Sequence, residues 1–183
     1  MPDKNEHMPD TPFAMAHTSA AQSAGPSTAI ARARALLCAL TPLKTDCGRL
    51  CANACCQGDG ETGMLLFPGE EALYAGCQFG RVVPTHFGLA GRQALLFVCD
   101  GHCPREMRPL ACRLFPLFLH IDARGNARVK LDGRAQGVCP LCGYGMEALD
   151  PAFLSAATQA YDLLMEDDAC GAYLRALSEA FDL

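Results

Sequence analysis

The stretch CDGHCPREMRPLACRLFPL, residues 99–117, combines three cysteines with three arginines and three prolines. Cysteine thiolates bind zinc and iron, and four thiolates around a divalent ion carry a net charge of about −2. Such a charge is buried only where hydrogen-bond donors or cations surround it. Arg108 and Arg113 lie beside Cys112 in the sequence, so we expect them to contact a metal-bound group. The alternative is that both arginines form ion pairs at the surface.

Two further cysteine groups accompany this stretch. In chain order, the first group is Cys47, Cys51, Cys55 and Cys56, the second is Cys99, Cys103 and Cys112, and the third is Cys139 and Cys142. The predicted metal ligands are therefore Cys47, Cys51, Cys55, Cys56, Cys99, Cys103, Cys112, Cys139 and Cys142. In a continuous helix, residues four apart are neighbours, whereas Cys47 and Cys55 would lie about 12 Å apart. Either the helix breaks, for which Gly48 and Asn53 are suited, or the first group serves more than one ion. Nine thiols exceed one tetrahedral site, so we expect two centres, or one centre with spare thiols.

The segment from Cys139 to Gly143 has the sequence Cys-Pro-Leu-Cys-Gly and resembles the metal-binding knuckle of zinc ribbons and rubredoxins. Proline fixes one φ angle, and glycine after the second cysteine permits the left-handed conformation that closes the turn. Such a turn directs both sulfurs toward one ion and supplies half of a four-ligand site. A redox-active pair is the alternative, although that motif normally opens a helix after a strand, which the sequence Gly-Tyr-Gly at 143–145 does not favour.

Together with the double cysteine at 55–56, residues 99–117 resemble the bacterial family of zinc- or iron-chelating domains. That family has a Cys-x2-Cys-x2-Cys-Cys motif followed by Cys-x4-Arg-Pro-x2-Cys-Arg-x-Phe-Pro. The downstream motif matches at Cys103, Arg108, Pro109, Cys112, Arg113, Phe115 and Pro116. The upstream spacers have three residues here, so either Cys47 or Cys51 corresponds to the family's first ligand. The resemblance covers residues 47–117 and implies metal chelation without an assigned reaction.

The composition sets the expected compartment and ligand class. Twelve cysteines in 183 residues are fewer than a disulfide scaffold carries, and the chain is long enough to bury a core. The N-terminus has charged residues where a signal peptide has its apolar segment, so we expect a cytoplasmic location and reduced thiols. No apolar run approaches the ~20 residues that cross a membrane. The net charge is −5, and the basic stretch at 101–138 coincides with cysteines. We therefore predict a metal ion as ligand, with neither nucleic acid nor membrane as partner.

The predicted fold is one α+β domain over residues 28–183, preceded by a disordered tail over residues 1–27. The predicted helices run from Ser27 or Thr28 to about Leu40, and over 68–77, 109–114, 151–166 and 171–181. The predicted strands are 64–67, 82–83, 94–99, 117–121 and 127–131, the last two forming a hairpin. We expect Cys38 on the apolar side of the first helix, Cys77 and Cys170 outside the metal sites, and His86 and His120 in the core.

Three functions remain open at this point. The first is a metal-binding protein whose zinc or iron is structural or held for delivery. The second is an iron–sulfur protein in electron transfer, or a redox enzyme. The third is a scaffold whose metal-stapled loops bind a protein partner. A closed four-thiolate site favours a structural role and an open coordination position favours catalysis. In each case we expect metal removal to disorder much of residues 45–145, because binding energy is folding energy in such sites.

Overall fold

The computed structural model describes residues 25–57 and 59–181, which form an α+β fold. The helices are α1 (Thr28–Leu36), α2 (Gly48–Cys51), α3 (Leu110–Leu114), α4 (Pro151–Glu166) and α5 (Asp168–Ala180). The strands are β1 (Met64–Leu65), β2 (Gly80–Leu89), β3 (Arg92–Cys99), β4 (Leu117–Ile121) and β5 (Ala127–Leu131). Short 3-10 turns lie at Ala54–Cys56, Glu70–Tyr74, Arg105–Met107, Gly133–Ala135, Pro140–Tyr144 and Met146–Ala148.

The strands form two small antiparallel sheets. The first has the order β1-β3-β2, and β2 turns into β3 through Ala90 and Gly91, which both have positive φ. Pro84 lies in β2, which is an edge strand of this sheet. Proline is tolerated there because the outer side of an edge strand has no neighbouring strand to receive its N–H. The second sheet is the hairpin of β4 and β5, which pair from Leu117 opposite Leu131 to Ile121 opposite Ala127. The predicted hairpin is thus confirmed with its boundaries.

The main core lies between α1, α4, α5 and β4. Its fully buried side chains recur at helical spacing and include Ile30, Leu37, Phe153, Leu164 and Leu174. The carboxylate of Asp150 accepts a hydrogen bond from the Ala152 N–H at 2.9 Å and caps α4, as the sequence predicts. The Ser178 hydroxyl of α5 hydrogen-bonds to both backbone groups of Ile121, which fixes α5 against the end of β4.

Several boundaries differ from the predictions for local reasons. Helix α1 begins at its Ser27 cap as expected but ends at Leu36, so Cys38 is exposed and its predicted packing in the core is wrong. The predicted helix at 68–77 is a shorter 3-10 turn, because Gly69 precedes it with a positive φ of 87°. Pairing extends β2 and β3 well beyond the predicted strands, and it leaves His86 exposed rather than buried. The predicted tail lies outside the described residues up to residue 24.

Across the described ranges, every helix is too short or too polar to span a bilayer.

Candidate metal centre

The first cysteine group lies on a broken helix. Helix α2 ends because Ala52 and Asn53 adopt the left-handed conformation, with φ of 49° and 56°. Asparagine tolerates this conformation better than most residues, so the helix break, one of the two alternatives considered from the sequence, is observed at Asn53. After the break, Cys55 and Cys56 lie on a 3-10 turn, so the 100° separation of a continuous α-helix does not apply. Their sulfur atoms are 3.9 Å apart and share a hydrogen bond in which either thiol can donate.

This hydrogen bond separates the acidities of the two neighbouring thiols. It lowers the pKa of Cys56 to about 6, with a further lowering from the guanidinium of Arg108, whereas it raises the pKa of Cys55. Burial also contributes to the raised pKa of Cys55. The two thiols titrate as a pair, in which one keeps its proton and donates the hydrogen bond to the other. A thiolate is the form of cysteine that ligates metals.

The second group lies where β3 ends and α3 begins. Cys99 is the last residue of β3, and burial, with a smaller effect from the neighbouring Cys103 thiol, raises the pKa of Cys99. Gly101 between them has φ of 94°, a conformation that turns the chain back toward the sheet. Cys112 lies in the middle of α3, close enough to Cys103 and Cys56 for their charges to raise its pKa in addition to the effect of burial. The first and second groups therefore meet at Cys112.

The segment that joins Cys103 to Cys112 is fixed by two arginines that bind its carbonyl oxygens. The guanidinium of Arg113 donates to the carbonyls of Arg105, Glu106 and Arg108 at 2.8–3.0 Å. The guanidinium of Arg34, on α1, donates to the carbonyls of Glu106 and Arg108, both at 3.0 Å. Arg113 is buried, and its hydrogen bonds hold the backbone of the loop. These contacts differ from both the thiolate contact and the surface ion pair considered from the sequence.

Glu70 also stabilises this segment, through contacts with Arg34 and with the start of α3. Its carboxylate is fully buried and accepts hydrogen bonds from the Arg34 guanidinium at 2.8 Å and from the Leu110 N–H at 2.7 Å. The Leu110 N–H is the first of α3, so Glu70 fixes the start of the helix that carries Cys112. Neither Arg34 nor Glu70 stands out as a supporting residue in the sequence pattern. The one sequence feature that could have indicated a buried role for Arg34 is its position four residues after Ile30, which places it on the buried side of α1.

Arg108 is the arginine that contacts thiols. Burial opposes its charge, but its hydrogen bond to Cys103 and the neighbouring thiols of Cys56 and Cys112 outweigh burial and raise its pKa. Its Nε atom is buried without a hydrogen-bond partner among the described residues. A buried donor of this kind is costly unless an acceptor reaches it. The predicted position of Arg108 beside the cysteines is thus observed.

The third group lies on the 3-10 turn Pro140–Tyr144. The Cys142 N–H donates to the Cys139 carbonyl at 3.1 Å, and burial, together with the neighbouring Cys139 thiol, raises the pKa of Cys142. Gly143 does not adopt the left-handed conformation predicted for it; the positive φ, of 82°, falls at Gly145, because the 3-10 turn continues two residues further. The third group approaches the first through Cys139, whose charge interacts with that of Cys47.

A cavity of about 50 Å³ lies where the three groups meet. Five of the predicted ligands line it, together with apolar residues and the arginines of the 105–113 segment: Cys47, Cys51, Cys55, Cys112 and Cys139. Cys38 also lines this cavity, although the sequence places it outside the metal sites. The other two cysteines outside the three groups lie away from this cavity. The Cys77 thiol donates to the Gly80 carbonyl, and Cys170 is buried in the main core. His102 is exposed.

The cysteine sulfurs lie in pairs and do not form a complete set of metal ligands within the described residues. Within residues 25–57 and 59–181, no three His, Cys, Asp or Glu side chains are arranged to hold one metal ion. Cys55 and Cys56 are in hydrogen-bond contact, whereas Cys99 with Cys103, and Cys139 with Cys142, are neighbours whose charges interact. No family model, curated protein or solved structure matches the chain. The resemblance to the zinc- or iron-chelating family therefore stays a prediction.

Proposed function

We propose that this chain binds zinc or iron through its clustered cysteine thiolates. The observation that supports this proposal most strongly is the convergence of three cysteine groups that are far apart in the sequence. Cys47, Cys112 and Cys139 line one cavity although more than ninety residues separate the first from the last. Cysteine is the ligand that zinc, iron and iron–sulfur clusters share.

Arg108 provides an independent reason, since its environment suits a negatively charged group. A set of metal-bound thiolates carries net negative charge, and hydrogen-bond donors near the sulfurs offset it. The guanidinium of Arg108 lies among Cys56, Cys103 and Cys112, and its buried Nε–H lacks an acceptor in the described part of the chain. A metal-bound thiolate is a stronger hydrogen-bond acceptor than the neutral thiol. The residues present therefore fit a thiolate-bound metal.

The ligands are expected to complete a site by small movements of side chains. A pair of neighbouring thiols can supply half of a four-ligand set, and the described residues contain such pairs without a finished group of three. Metal-binding sites built from separate loops are commonly coupled to folding, because a preformed site is rare without the ion. We therefore expect metal to tighten the loops around the cavity rather than to enter a rigid cage.

Metal analysis of anaerobically purified protein tests this function. We expect bound zinc or iron and reduced thiols by native mass spectrometry. A colourless zinc protein would exclude an iron–sulfur cluster, whereas broad absorption near 400 nm would favour one. Alanine at Cys56, Cys103 or Cys112 should lower the metal content, while alanine at Cys38, Cys77 or Cys170 should preserve it. A metal-free protein with disulfide-bonded cysteines would contradict the proposal.

A further inference from the structure

Cys55 and Cys56 are adjacent in the chain, and their sulfur atoms are 3.9 Å apart. Adjacent residues in a continuous helix do not face each other. Here the left-handed Ala52 and Asn53 end α2, and both cysteines lie on the 3-10 turn Ala54–Cys56 that follows. The two sulfurs are therefore neighbours in space, although consecutive helical positions would direct them apart.

The separation of these two sulfurs matches the geometry of a tetrahedral ion. With metal–sulfur bonds of about 2.3 Å, two ligand sulfurs of a tetrahedral site lie about 3.8 Å apart, whereas a linear ion between two sulfurs needs about 4.6 Å. The observed 3.9 Å is close to the tetrahedral value. One tetrahedral ion can thus bind both sulfurs with little movement of either side chain.

The pair lies at the mouth of the cavity described above. Cys55 lines the cavity and is also exposed to solvent, and Cys56 is half-buried beside it. Cys38 is likewise exposed and lines the same cavity, but it is not adjacent to another cysteine in the chain. Cys38 is therefore a matched control, since it shares the position of Cys55 and lacks the second sulfur of an adjacent cysteine.

We propose that Cys55 and Cys56 bind the same tetrahedral ion, zinc or iron, as adjacent ligands on its solvent-facing side. This inference rests on the proposed function. On binding, both thiols lose their protons to solvent and each sulfur forms one bond to the ion. Within the described ranges no third ligand is already in place, so water or a thiol of a moving loop completes the coordination. An ion at this exposed face exchanges with the solution while the core stays folded, which is the property that metal held for delivery requires.

The zinc content of full-length variants tests whether the two sulfurs share an ion. Reduced, zinc-loaded proteins are compared by native mass spectrometry at a chelator concentration that leaves the wild type loaded. Cys55→Ser, Cys56→Ser and the double variant Cys55→Ser/Cys56→Ser should each bind one zinc fewer than the wild type, because all three lose the same ion. Cys38→Ser should bind as many as the wild type.

Isotope exchange tests the solvent-facing position. Wild-type protein loaded with one zinc isotope is mixed with an excess of a second isotope, and the replacement is followed by native mass spectrometry. At least one ion should exchange faster than the protein unfolds, with the unfolding rate taken from urea-jump experiments followed by circular dichroism. Exchange that is no faster than unfolding would overturn the exposed position of the ion.

The possible results separate this inference from the proposed function. Wild-type protein with neither zinc nor iron would contradict the proposed function itself. With a loaded wild type, a double variant that loses one ion more than either single variant would show that the two sulfurs bind different ions. Single variants with the full zinc content would show a hydrogen-bonded thiol pair only, and both results would overturn the shared ion alone.

A measurement on the wild type decides if the serine variants lose their helices by circular dichroism. Partly zinc-loaded protein is treated with excess iodoacetamide, and the modified cysteines are located by mass spectrometry. In each molecule Cys55 and Cys56 should be both protected or both alkylated, because one ion covers both sulfurs. Abundant molecules with only one of the two alkylated would overturn the shared ion.

Discussion

Replacement of Glu70 by alanine should destabilise the fold more than any single change at the protein surface. The carboxylate is fully buried and accepts hydrogen bonds from the N–H groups of Leu110 and Phe67 at 2.7 and 3.3 Å. It also pairs with the Arg34 guanidinium at 2.8 Å, and the Arg34 side chain is only 13% exposed. Alanine would leave the two buried N–H groups without an acceptor, and it would remove the carboxylate partner of the largely buried Arg34 guanidinium.

The magnitude follows from these lost contacts. Each orphaned buried donor costs about 1–3 kcal/mol, and removal of one partner of a buried ion pair costs about 3–5 kcal/mol. Arg34 keeps its hydrogen bonds to the carbonyls of Glu106 and Arg108, which limits the cost of its lost partner. We therefore expect a loss of about 3–5 kcal/mol in the free energy of unfolding. Since small domains are stable by only about 5–15 kcal/mol, this loss is a large fraction of the total.

Urea unfolding followed by circular dichroism measures this change, with the metal content held equal between proteins. The matched control is Glu71→Ala, which removes the neighbouring, half-buried carboxylate on the same turn and should cost about 0.5 kcal/mol or less. Glu70→Gln preserves size and one acceptor oxygen, so we expect a smaller loss, of about 1–2 kcal/mol. A loss below about 1 kcal/mol for Glu70→Ala would refute the role assigned to this carboxylate.

The pH dependence provides a second check on Glu70. Burial raises its pKa above the ordinary value of 4.5, although the Leu110 N–H and Arg34 work in the opposite direction. A raised pKa means that the folded state binds the proton more tightly than the unfolded state. The resulting stabilisation is fully present below the unfolded pKa and is lost as pH rises through the folded pKa. The stability of wild type relative to Glu70→Gln should therefore decline over that range; an increase would show that the ion pair dominates.

Two further substitutions test the site and the core. Arg108→Gln should weaken metal binding about 10–100-fold in a chelator competition, because it removes the guanidinium beside Cys103. The control Arg124→Gln, at an exposed arginine of the β4–β5 loop, should leave the affinity unchanged. Equal affinities of the two variants would contradict the role of Arg108. Tyr161→Phe should lower the free energy of unfolding in urea by about 1–3 kcal/mol, because the buried Tyr161 hydroxyl donates to the Leu117 carbonyl. The control Tyr144→Phe, at an exposed tyrosine, should leave stability unchanged. Equal stabilities of the two variants would show that the buried hydrogen bond contributes nothing.

The sequence predicts the elements whose signals are local. Asp150 and the apolar spacing that follows it place α4 at Pro151–Glu166, and two apolar runs around a glycine-containing loop place the hairpin of β4 and β5. The α-helical turn of α3 and the break before Cys55 also follow from nearby residues. These elements are decided by residues within a few positions of one another, so no tertiary information is needed.

The support of the candidate site depends on contacts that a linear pattern does not show. The Arg34–Glu70 pair joins residues 36 positions apart, and the Glu70 bond to the Leu110 N–H spans 40 positions. In the sequence, Glu70 is indistinguishable from an acidic residue that merely stabilises a helix start. The sequence predicts Arg113 near the thiols because it adjoins Cys112, but a helix directs adjacent side chains to different sides. Its guanidinium therefore reaches the carbonyls of the preceding loop.

Metal removal should affect the protein more locally than the sequence alone suggests. The hairpin of β4 and β5 lies within the range 45–145 that was expected to disorder, yet Leu117, Phe118 and Leu119 are buried in the main core. Ser178 of α5 also fixes the end of β4 through Ile121. This core consists of apolar side chains and needs no thiolate, whereas the cysteine loops consist of short turns whose backbone hydrogen bonds mostly join residues only three to five positions apart.

Hydrogen exchange on chelator-treated protein distinguishes the two expectations. The loops at 47–57, 99–108 and 136–146 should lose protection, because the metal bonds that offset their loop-closure entropy are gone. The hairpin and helices α4 and α5 should keep theirs, because their burial is unchanged. Loss of protection throughout β4 and β5 would show that core and metal sites fold as one unit. Unchanged protection in all three loops would show that the neighbouring thiol pairs and the arginine contacts hold the loops without metal.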